Sequence, residues 1–355
     1  MNIEKLISIS ENFDPITLLQ FKKYLNENLV NICCKKDSTA KIISNNKEEN
    51  LYCEHCGCIL YRNGKTKNGV QKYICSNCKK TVSERTGTVS CGSNLSFEVW
   101  KNVIDNILDG FSIRRIAKEN NISIDTSFRL RHKVLYALED FVKSIKLKGK
   151  TWADAQYFSL NFKGIKEKDM PRISKKRGSS SSLTGISHHK LCVIGAIDEY
   201  DNLIFQIGGL GKGTTEMLEK CLGEKAENIS SITTDSASAY IKFCEDRNII
   251  LHRIPSGSYN NGCENLAEIN NAHSQLSSWL TKFRGVSTRH FQNYLNWFTY
   301  LFTMSKKFEL DDLKIENYKT IILKEKHITS MKICKKNMPI DPKVAYAEYN
   351  YQSNS

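Results

Sequence analysis

Long apolar runs are absent from this sequence. No stretch approaches the roughly 18 uninterrupted apolar residues that a membrane-spanning helix needs, so we expect no membrane association. The N-terminal residues MNIEKLISISENFDP lack a basic segment followed by an apolar one, and so do not resemble a secretory signal peptide. Internal repeats are also missing. These absences exclude secreted, membrane and fibrous proteins, and we expect a cytoplasmic one.

Acidic residues are few relative to basic ones. The chain of 355 residues has 38 Asp and Glu against 52 Lys and Arg, which gives a formal net charge of +14. Such an excess usually implies an anionic partner, most often nucleic acid, although an unspecific cationic surface is the alternative. With 40% hydrophobic and 25% charged residues, the composition is that of a folded protein. At roughly 150 residues per domain, the length predicts two or three domains.

Changes in composition divide the chain into five segments. Residues 1–50 combine a short helical pattern with a polar linker, and residues 51–92 are rich in Cys, Gly and Lys. Apolar residues recur at helical spacing in 96–147, strands alternate with helices in 150–304, and 305–355 form a polar, basic tail. The predicted fold class is therefore mixed (α+β or α/β): two small N-terminal modules precede a sheet with flanking helices.

The alternating segment contains five predicted strands and four predicted helices. The strands cover residues 151–160, 190–198, 203–208, 229–234 and 249–254, and the helices cover residues 214–222, 236–247, 261–282 and 288–304. Between the first two strands, the basic and Gly/Ser-rich stretch SKKRGSSSSLTGISHH is typical of a loop.

The 13 cysteines form an odd number and most lie singly, which favours reduced thiols over a disulfide framework. Two Cys-x2-Cys pairs stand out, Cys53 with Cys56 and Cys75 with Cys78. Their spacing is typical of a zinc ribbon, in which four thiolates hold Zn²⁺ tetrahedrally. Cys58 and His55 are nearby alternative ligands, and a set of inert buried thiols is the other interpretation.

The sequence from Gly110 to Lys133 has the layout of a helix-turn-helix. A short helix is followed by a turn at residues 121–123, and Ser123 or Asp125 can cap a second helix. That second helix would direct four basic side chains toward base edges and phosphates of DNA: Arg129, Arg131, His132 and Lys133. A three-helix bundle with a solvated charged face is the alternative.

Two aspartates lie at strand positions suited to metal binding. Asp154 is inside the predicted strand TWADAQYFSL, and Asp235 ends the predicted strand SSITTD. Carboxylates on neighbouring strands can converge on Mg²⁺, and two such ions can clamp the oxygens of an in-line phosphoryl transfer. Asp235 also fits the position of a helix N-cap.

Longer motifs give the chain a family resemblance. They are DAQYFSLNFKG (154–164), Pro171-Arg172, KKRG (175–178), GIS (185–187) before HHKLCVIGAID, TTDSASAY (233–240), AEINNAHSQL (267–276) and FRGVSTRHFQNYLNWF (283–298). With these motifs, over roughly residues 50 to 302, the chain resembles a DDE-type insertion-sequence transposase of the ISXO-like branch. Such proteins combine an N-terminal zinc ribbon, a helix-turn-helix and a ribonuclease H-like catalytic domain.

The resemblance implies cleavage and strand transfer of double-stranded DNA with Mg²⁺ or Mn²⁺, by a nucleoid-associated homo-oligomer. By position, Asp154 and Asp235 correspond to the first two metal ligands and Asn270 to the third, where relatives carry Glu or Asn. Glu268 is an alternative third ligand only if the alignment shifts, because it lies about 200° around the helix from Asn270. Glu264, predicted on the same helix, is a further source of charge.

Further positions qualify this implied activity. Ala155 stands where the family often has Glu, and Ser277 where it often has a basic residue. His273 either orients a ligand, contacts the scissile phosphate or packs in the core. Basic side chains placed to neutralise phosphates are Lys163, Lys175, Lys176 and Arg177.

The leading functional prediction is therefore a transposase that cleaves inverted-repeat ends and joins the 3′-hydroxyl to target DNA. A sequence-specific DNA-binding protein with a vestigial, inactive core is the alternative, and a nuclease that cleaves without joining is a third hypothesis.

Overall fold

The computed structural model describes residues 52–53, 55–67, 69–83, 85–166, 189–255, 258, 260–262, 264–307, 321, 327–341 and 346. The chain divides into two compact units: residues 1–137 with 307–329, and residues 138–306 with 330–355. The predicted helical pattern in residues 1–50 lies outside the described residues. No described helix is both long and apolar enough to cross a bilayer.

The first unit begins with a small antiparallel sheet. Strands β1 (Leu60–Lys65), β2 (Gln71–Cys75) and β3 (Thr81–Ser83) pair in the order β1-β2-β3. Among the residues described here, the buried hydrophobic cluster is small and comprises Cys53, Leu60, Tyr73 and Cys75. A core this small supplies little hydrophobic stabilisation, so such a module normally needs a metal or disulfide cross-link.

Three helices follow in the same unit: α1 (Phe97–Leu108), α2 (Ile113–Glu119) and α3 (Ile124–Ala137). Each starts at a serine whose hydroxyl accepts a hydrogen bond from the backbone N–H three residues on, and these serines are Ser96, Ser112 and Ser123. Asn121 adopts the left-handed conformation (φ 49°) that turns the chain between α2 and α3. The predicted cap at Ser123 is thus confirmed.

The second unit is built on a five-stranded mixed sheet. Its strands are β4 (Lys148–Ser159), β5 (Lys190–Asp198), β6 (Leu203–Leu210), β7 (Asn228–Thr234) and β8 (Ile250–Arg253). They lie in the order β6-β5-β4-β7-β8: β4, β5 and β6 are antiparallel, while β4, β7 and β8 are parallel. This confirms the five strands and the mixed α/β class predicted from the sequence.

Helices cover both faces of this sheet. They are α4 (Glu139–Ser144), α5 (Thr215–Leu222), α6 (Ala239–Glu245), α7 (Ala267–Thr281), α8 (Thr288–Lys307) and α9 (Ser330–Cys334). Residues of α5 and α6 pack with Ala153, Cys192 and Ile194 on one face. Residues of α7 and α8 pack with Leu191, Val193 and Phe205 on the other. Strand β5 is buried from residue 191 to residue 198 because both faces are covered.

The edge strand β6 is protected by a side chain from α8. The amide of Gln292 accepts a hydrogen bond from the backbone N–H of Ile207 (2.9 Å) and donates one to the carbonyl of Phe205 (3.0 Å). An uncovered edge of this kind would be free to pair with another strand. Gln292 therefore completes the hydrogen bonding of the sheet.

The start of α7 differs from the prediction. The predicted helix over residues 261–282 begins only at Ala267, because residues 260–265 form a hairpin of β9 (Asn260–Asn261) and β10 (Glu264–Asn265). Gly262 takes a left-handed conformation (φ 64°) in the turn, which a helix does not allow. The Asn265 side chain then accepts a hydrogen bond from the backbone N–H of Ala267 (2.9 Å).

Candidate active site and metal centres

The register of two parallel strands places Asp154 and Asp235 at the same level. Strand β4 pairs with β7 so that Trp152 lies beside Thr233. Two residues further along each chain come Asp154 and Asp235, on the same face of the sheet because side chains alternate with a period of two. Strand β7 ends at Thr234, so the Asp235 carboxylate lies at the open end of the strand and is exposed.

Burial and the neighbouring acid disfavour the charged form of Asp154. Its side chain is only 24% exposed. Burial, followed by the nearby charge of Asp235, raises the pKa of Asp154 to about 6, against the lowering effect of a hydrogen bond from the Ala155 backbone N–H (2.7 Å). A carboxylate whose charged form is disfavoured, with a second acid beside it, is stabilised by a cation, and hard oxygen ligands suit Mg²⁺ or Mn²⁺. The donor chemistry of this acid pair therefore fits a divalent ion.

The Asp235 side chain does not cap the next helix. Helix α6 begins at Ala239, three residues after the predicted start, with Ser238 at its N-cap. The Asp235 carboxylate instead accepts a hydrogen bond from the backbone N–H of Ala237 (3.0 Å). This local turn holds the carboxylate at the end of β7.

Helix α7 brings a histidine to the acid pair. His273 lies on the buried face of α7, and its Nδ1 is 3.7 Å from Oδ2 of Asp154. Burial lowers the pKa of His273 to about 4, so the ring is neutral at physiological pH. The Gln156 side chain donates to Ser277 Oγ (2.8 Å) and to the His273 carbonyl (3.4 Å), which fixes α7 against β4.

Asn270 lies one helical turn before His273 and is exposed. Three residues along an α-helix correspond to about 300°, so Asn270 lies close to the side of α7 that carries His273. Glu268 is also exposed, but two residues correspond to about 200°, which directs it away from that side. Of the two, Asn270 lies closer to the side of α7 that carries His273.

Glu264 was predicted on the same helix as Asn270, but it belongs to β10. Its carboxylate accepts hydrogen bonds from Lys150 Nζ (2.7 Å) and Thr233 Oγ1 (2.8 Å). The Lys150 hydrogen bond is the main reason that the pKa of Glu264 is lowered. Glu264 therefore links the hairpin to β4 through Lys150 and to β7 through Thr233. Both contacts lie before the acid pair along their strands. No local pattern indicates the contact with Lys150, because that lysine is 114 residues away along the chain.

Four cysteines of the first unit converge as the ligands of a metal site. The sulfurs of Cys53, Cys56, Cys75 and Cys78 all lie within 4.8 Å of one another, and within the described part of the chain no other set of three or more Cys, His, Asp or Glu side chains converges in this way. The Cys53–Cys78 and Cys56–Cys75 sulfur distances are 3.6 and 3.4 Å. Tetrahedral Zn²⁺ with Zn–S bonds of about 2.3 Å requires separations of about 3.8 Å.

The cluster therefore fits zinc, and the two alternative ligands fall outside it. Cys58 directs its sulfur to the Cys56 carbonyl (3.6 Å), and His55 is exposed. Hydrogen bonds from the Cys58 backbone N–H and then Cys75 lower the pKa of Cys56 to about 6. The Lys80 backbone N–H lowers the pKa of Cys78, but burial and the three other thiols together raise it to about 12. Four thiolates this close require a cation to neutralise them.

The structure corrects most of the basic residues predicted to contact DNA from α3. Arg131, His132 and Lys133 are 1%, 2% and 7% exposed. Arg131 donates to the Phe111 carbonyl and Lys133 to the Cys91 carbonyl (3.0 Å), so both satisfy backbone acceptors inside the unit. Burial accordingly lowers the pKa of Lys133. Arg129 alone of the four is partly exposed, and it forms an ion pair with Asp125.

Other basic side chains, which were not predicted from the sequence, are exposed. Lys163 is exposed and its phosphate contact stays a prediction, whereas Lys175, Lys176 and Arg177 lie outside the described residues. The first unit carries the unpredicted exposed set of Arg62, Lys65, Lys67, Lys79, Lys80, Arg114, Arg115 and Lys118. A usable signal was present, because residues 52–83 contain six Lys or Arg and a single acid.

No protein-family model matches the chain. Over 255 residues it is 28% identical to a Halobacterium salinarum protein described as an uncharacterized protein in transposable element ISH50. The matched region covers 70% of this chain and 84% of that relative.

Some solved structures also align with the chain at low similarity. A chain of the simian T-cell lymphotropic virus intasome in complex with PP2A regulatory subunit B56 gamma is 9% identical, with 67% of this chain and 76% of that chain covered and a TM-score of 0.25. A chain of the Mos1 mariner paired end complex with Mn is 12% identical, with 61% and 76% covered and a TM-score of 0.20. TM-scores this low do not establish a common fold.

Proposed function

We propose that this chain is a transposase that cleaves DNA at the ends of an insertion sequence and joins them to target DNA. The observation that carries the proposal is the acid pair, Asp154 and Asp235, at one level of two adjacent parallel strands. The similarity of the chain to a protein of a transposable element supports the same conclusion.

The domain organisation follows from this proposal. Residues 51–92 would be a zinc ribbon, residues 96–147 a helix-turn-helix module and residues 150–304 a ribonuclease H-like catalytic domain. Support comes from the four-cysteine cluster, from helices α1 to α3, and from the mixed sheet with helices on both faces. Residues 305–355 would follow these domains as a basic C-terminal tail.

Asp154, Asp235 and Asn270 would hold Mg²⁺ or Mn²⁺. When bound, the ion would supply positive charge that stabilises the charge developing on the phosphate oxygens. Asp154 and Asp235 would each contribute a carboxylate oxygen, and Asn270 a neutral carbonyl oxygen from the facing side of α7. Glu264 is engaged by Lys150 and Thr233, and Glu268 leaves α7 on another side, so neither is the favoured third ligand.

The reaction would proceed in two phosphoryl transfers. In cleavage, a water oxygen bonds to phosphorus, the bond from phosphorus to the 3′ oxygen breaks, and the water proton leaves while the 3′ oxygen takes one up. In joining, that 3′-hydroxyl bonds to a target phosphorus and displaces the target's own 3′ oxygen. One phosphodiester replaces another in the second step, so no cofactor is consumed.

DNA contacts would come from exposed basic side chains rather than from the buried face of α3. We propose Arg62, Lys65 and Lys67 of the ribbon, Arg114 and Lys118 of α2, Arg129 of α3, and Lys163. Lys175, Lys176 and Arg177, in the sequence between β4 and β5, stay in this proposal as phosphate contacts. Positively charged side chains of this kind neutralise DNA phosphates. The working protein would be a nucleoid-associated homo-oligomer, since two ends must be joined.

A second candidate function is a DNA-binding protein with an inactive core. The observation in its favour is that no third carboxylate among the described residues joins the acid pair as a metal ligand. Ala155 and Ser277, which depart from the family pattern, are consistent with it, and the Ser277 hydroxyl is engaged by Gln156.

A plasmid transposition assay separates these candidates, with the gene's own flanking DNA as donor. We expect the wild type to mobilise the donor, and Asp154→Asn or Asp235→Asn to reduce mobilisation at least about 1000-fold. Asp246→Asn, an exposed acid at the end of α6, is the matched control and should leave mobilisation unchanged. A silent wild type that still binds the flanking DNA would favour the inactive core, and nicking without joining would favour a nuclease.

A further inference from the structure

His273 occupies a space that the sheet leaves open beside Asp154. Across the antiparallel pair of β4 and β5, the residue opposite Asp154 is Gly195. A β-carbon at Gly195 would lie 2.8 Å from Nε2 of His273 and 2.6 Å from the Phe205 ring. Both distances are far inside van der Waals contact. Only glycine at this position therefore lets the imidazole lie over β5 next to the Asp154 carboxylate.

The surroundings of the ring distinguish its two nitrogens. Nδ1 faces the Asp154 carboxylate, whereas Nε2 is buried with no hydrogen-bond partner, near Gly195 and with the Phe205 ring 5.6 Å away between centroids. A neutral imidazole carries one N–H. Placing the proton on Nε2 would bury an unpaired donor and turn a lone pair toward a carboxylate. Placing it on Nδ1 pairs the donor with the acid.

We propose that His273 is a positioning residue for Asp154: its Nδ1–H donates to Oδ2 and holds the carboxylate in place at the acid pair. The effect of His273 on catalysis rests on the proposed function. The position of the proton on the His273 ring does not. The 3.7 Å separation is longer than a hydrogen bond of about 2.9 Å. Hydrogen bonds in such sites commonly shorten when the reacting complex forms.

The tautomer can be measured without any activity. In the full-length protein with ¹⁵N-labelled histidine, the chemical shifts of the two ring nitrogens identify which one carries the proton. At pH 7.5 we expect His273 to show the Nδ1–H pattern, assigned among the eight histidines by its loss in His273→Asn. Asp154→Asn should shift these resonances. A dominant Nε2–H pattern would overturn the proposal.

Variants that move the donor test its role in the reaction. His273→Asn keeps an amide N–H near the position of Nδ1, His273→Gln places it near Nε2, and His273→Leu has none. At saturating DNA we expect kcat for cleavage to fall about 100-fold in the Leu and Gln variants and less than about 10-fold in the Asn variant. The KM for DNA should not change, and the Mg²⁺ concentration for half-maximal rate should rise about 10-fold in His273→Leu.

Gly195→Ala displaces the imidazole, together with the Phe205 ring, without altering either side chain, and should reproduce the His273→Leu phenotype. Gly213→Ala is the matched control, because a β-carbon there would meet no atom closer than 3.8 Å. His290→Asn controls for the loss of a buried histidine elsewhere in the unit. Equal kcat losses in His273→Asn and His273→Leu, tracking their melting temperatures, would show a packing role and overturn the proposal.

Failure of the proposed function is distinguishable from failure of this inference. If the wild type does not cleave, the proposed function fails, and the ¹⁵N spectra still decide the tautomer. Mn²⁺ affinity measured by electron paramagnetic resonance then decides the positioning, with about 10-fold weaker binding expected in His273→Leu. If the wild type cleaves and His273→Leu cleaves equally well, the inference alone is overturned.

Discussion

Among single residues, Asp154 is unfavourable for folding when it is ionised and no cation is bound. Asp154 is largely buried and its pKa is raised to about 6, above its ordinary value of 3.8. A carboxyl group whose pKa is raised by folding stabilises the fold when protonated, and that contribution is lost as the pH rises through the folded pKa. Functional groups often carry such a cost, because the site is arranged for its ligand and not for stability.

Asp154→Asn should therefore raise the stability of the metal-free protein at pH 7.5. Each pKa unit corresponds to about 1.4 kcal/mol, and allowing for the partly solvated side chain we expect a gain of about 1–2 kcal/mol. Between pH 6 and pH 4 the difference from the wild type should shrink, since both side chains become neutral. Denaturant unfolding without added Mg²⁺ measures this difference in stability, and a variant less stable than the wild type at pH 7.5 would contradict the prediction.

The acid pair and the basic residues of α3 differ in how far their environment can be predicted from the sequence. The acid pair was predictable, because an acid in a strand and an acid at a strand end follow a local pattern. The burial of Arg131 and Lys133 was not, because their acceptors are carbonyls of Phe111 and Cys91, 20 and 42 residues away. A basic side chain on a helix gives no local sign of whether it meets phosphate or a buried carbonyl.

At the scale of secondary structure, the alternating pattern was sufficient to predict the sheet. The predicted strand over 190–198 coincides with β5, and the other four strands agree within a few residues. The exception is the hairpin before α7, where the polar residues 260–265 satisfy neither helical nor strand periodicity clearly. Its conformation depends on Gly262 and on the distant contact between Glu264 and Lys150.

Glu264→Gln tests the role of this hairpin. Loss of the ion pair to Lys150 should loosen the start of α7 and reduce cleavage about 10-fold, with a stability loss of about 1 kcal/mol. Glu227→Gln, which removes an exposed ion pair with Lys146 (3.8 Å), is the matched control and should change neither by a measurable amount. A loss of about 1000-fold or more in Glu264→Gln would instead identify Glu264 as the third metal ligand.

At the scale of the whole molecule, stability is divided between two compact units with different sources. The first relies on a four-cysteine cluster and a small core, and the second on a sheet buried on both faces. The sequence predicted the cysteine cluster because ligand spacing is local. It did not predict which basic side chains are exposed to solvent, because exposure depends on the packing of the whole folded unit.

A zinc chelator should unfold the ribbon and abolish DNA binding while the sheet of the second unit stays folded. Cys75→Ser should have the same effect, because it removes one of the four ligands. Cys58→Ser is the control, since its sulfur lies outside the cluster. Calorimetry measures the unfolding of each unit, and zinc analysis measures the metal content of each variant. A Cys75→Ser protein with full zinc content would contradict the proposed ligand set.

Metal-dependent cleavage by the acid pair is tested most directly with the purified full-length protein. Its substrate is a linear duplex that carries the gene's own flanking DNA. With Mg²⁺, we expect the wild type to release a 3′-hydroxyl at the transposon end. Omission of Mg²⁺, Asp154→Asn and Asp235→Asn should each abolish this product, and Asp246→Asn should not. Cleavage that survives in either active-site variant, or that proceeds without added Mg²⁺, would contradict this proposal.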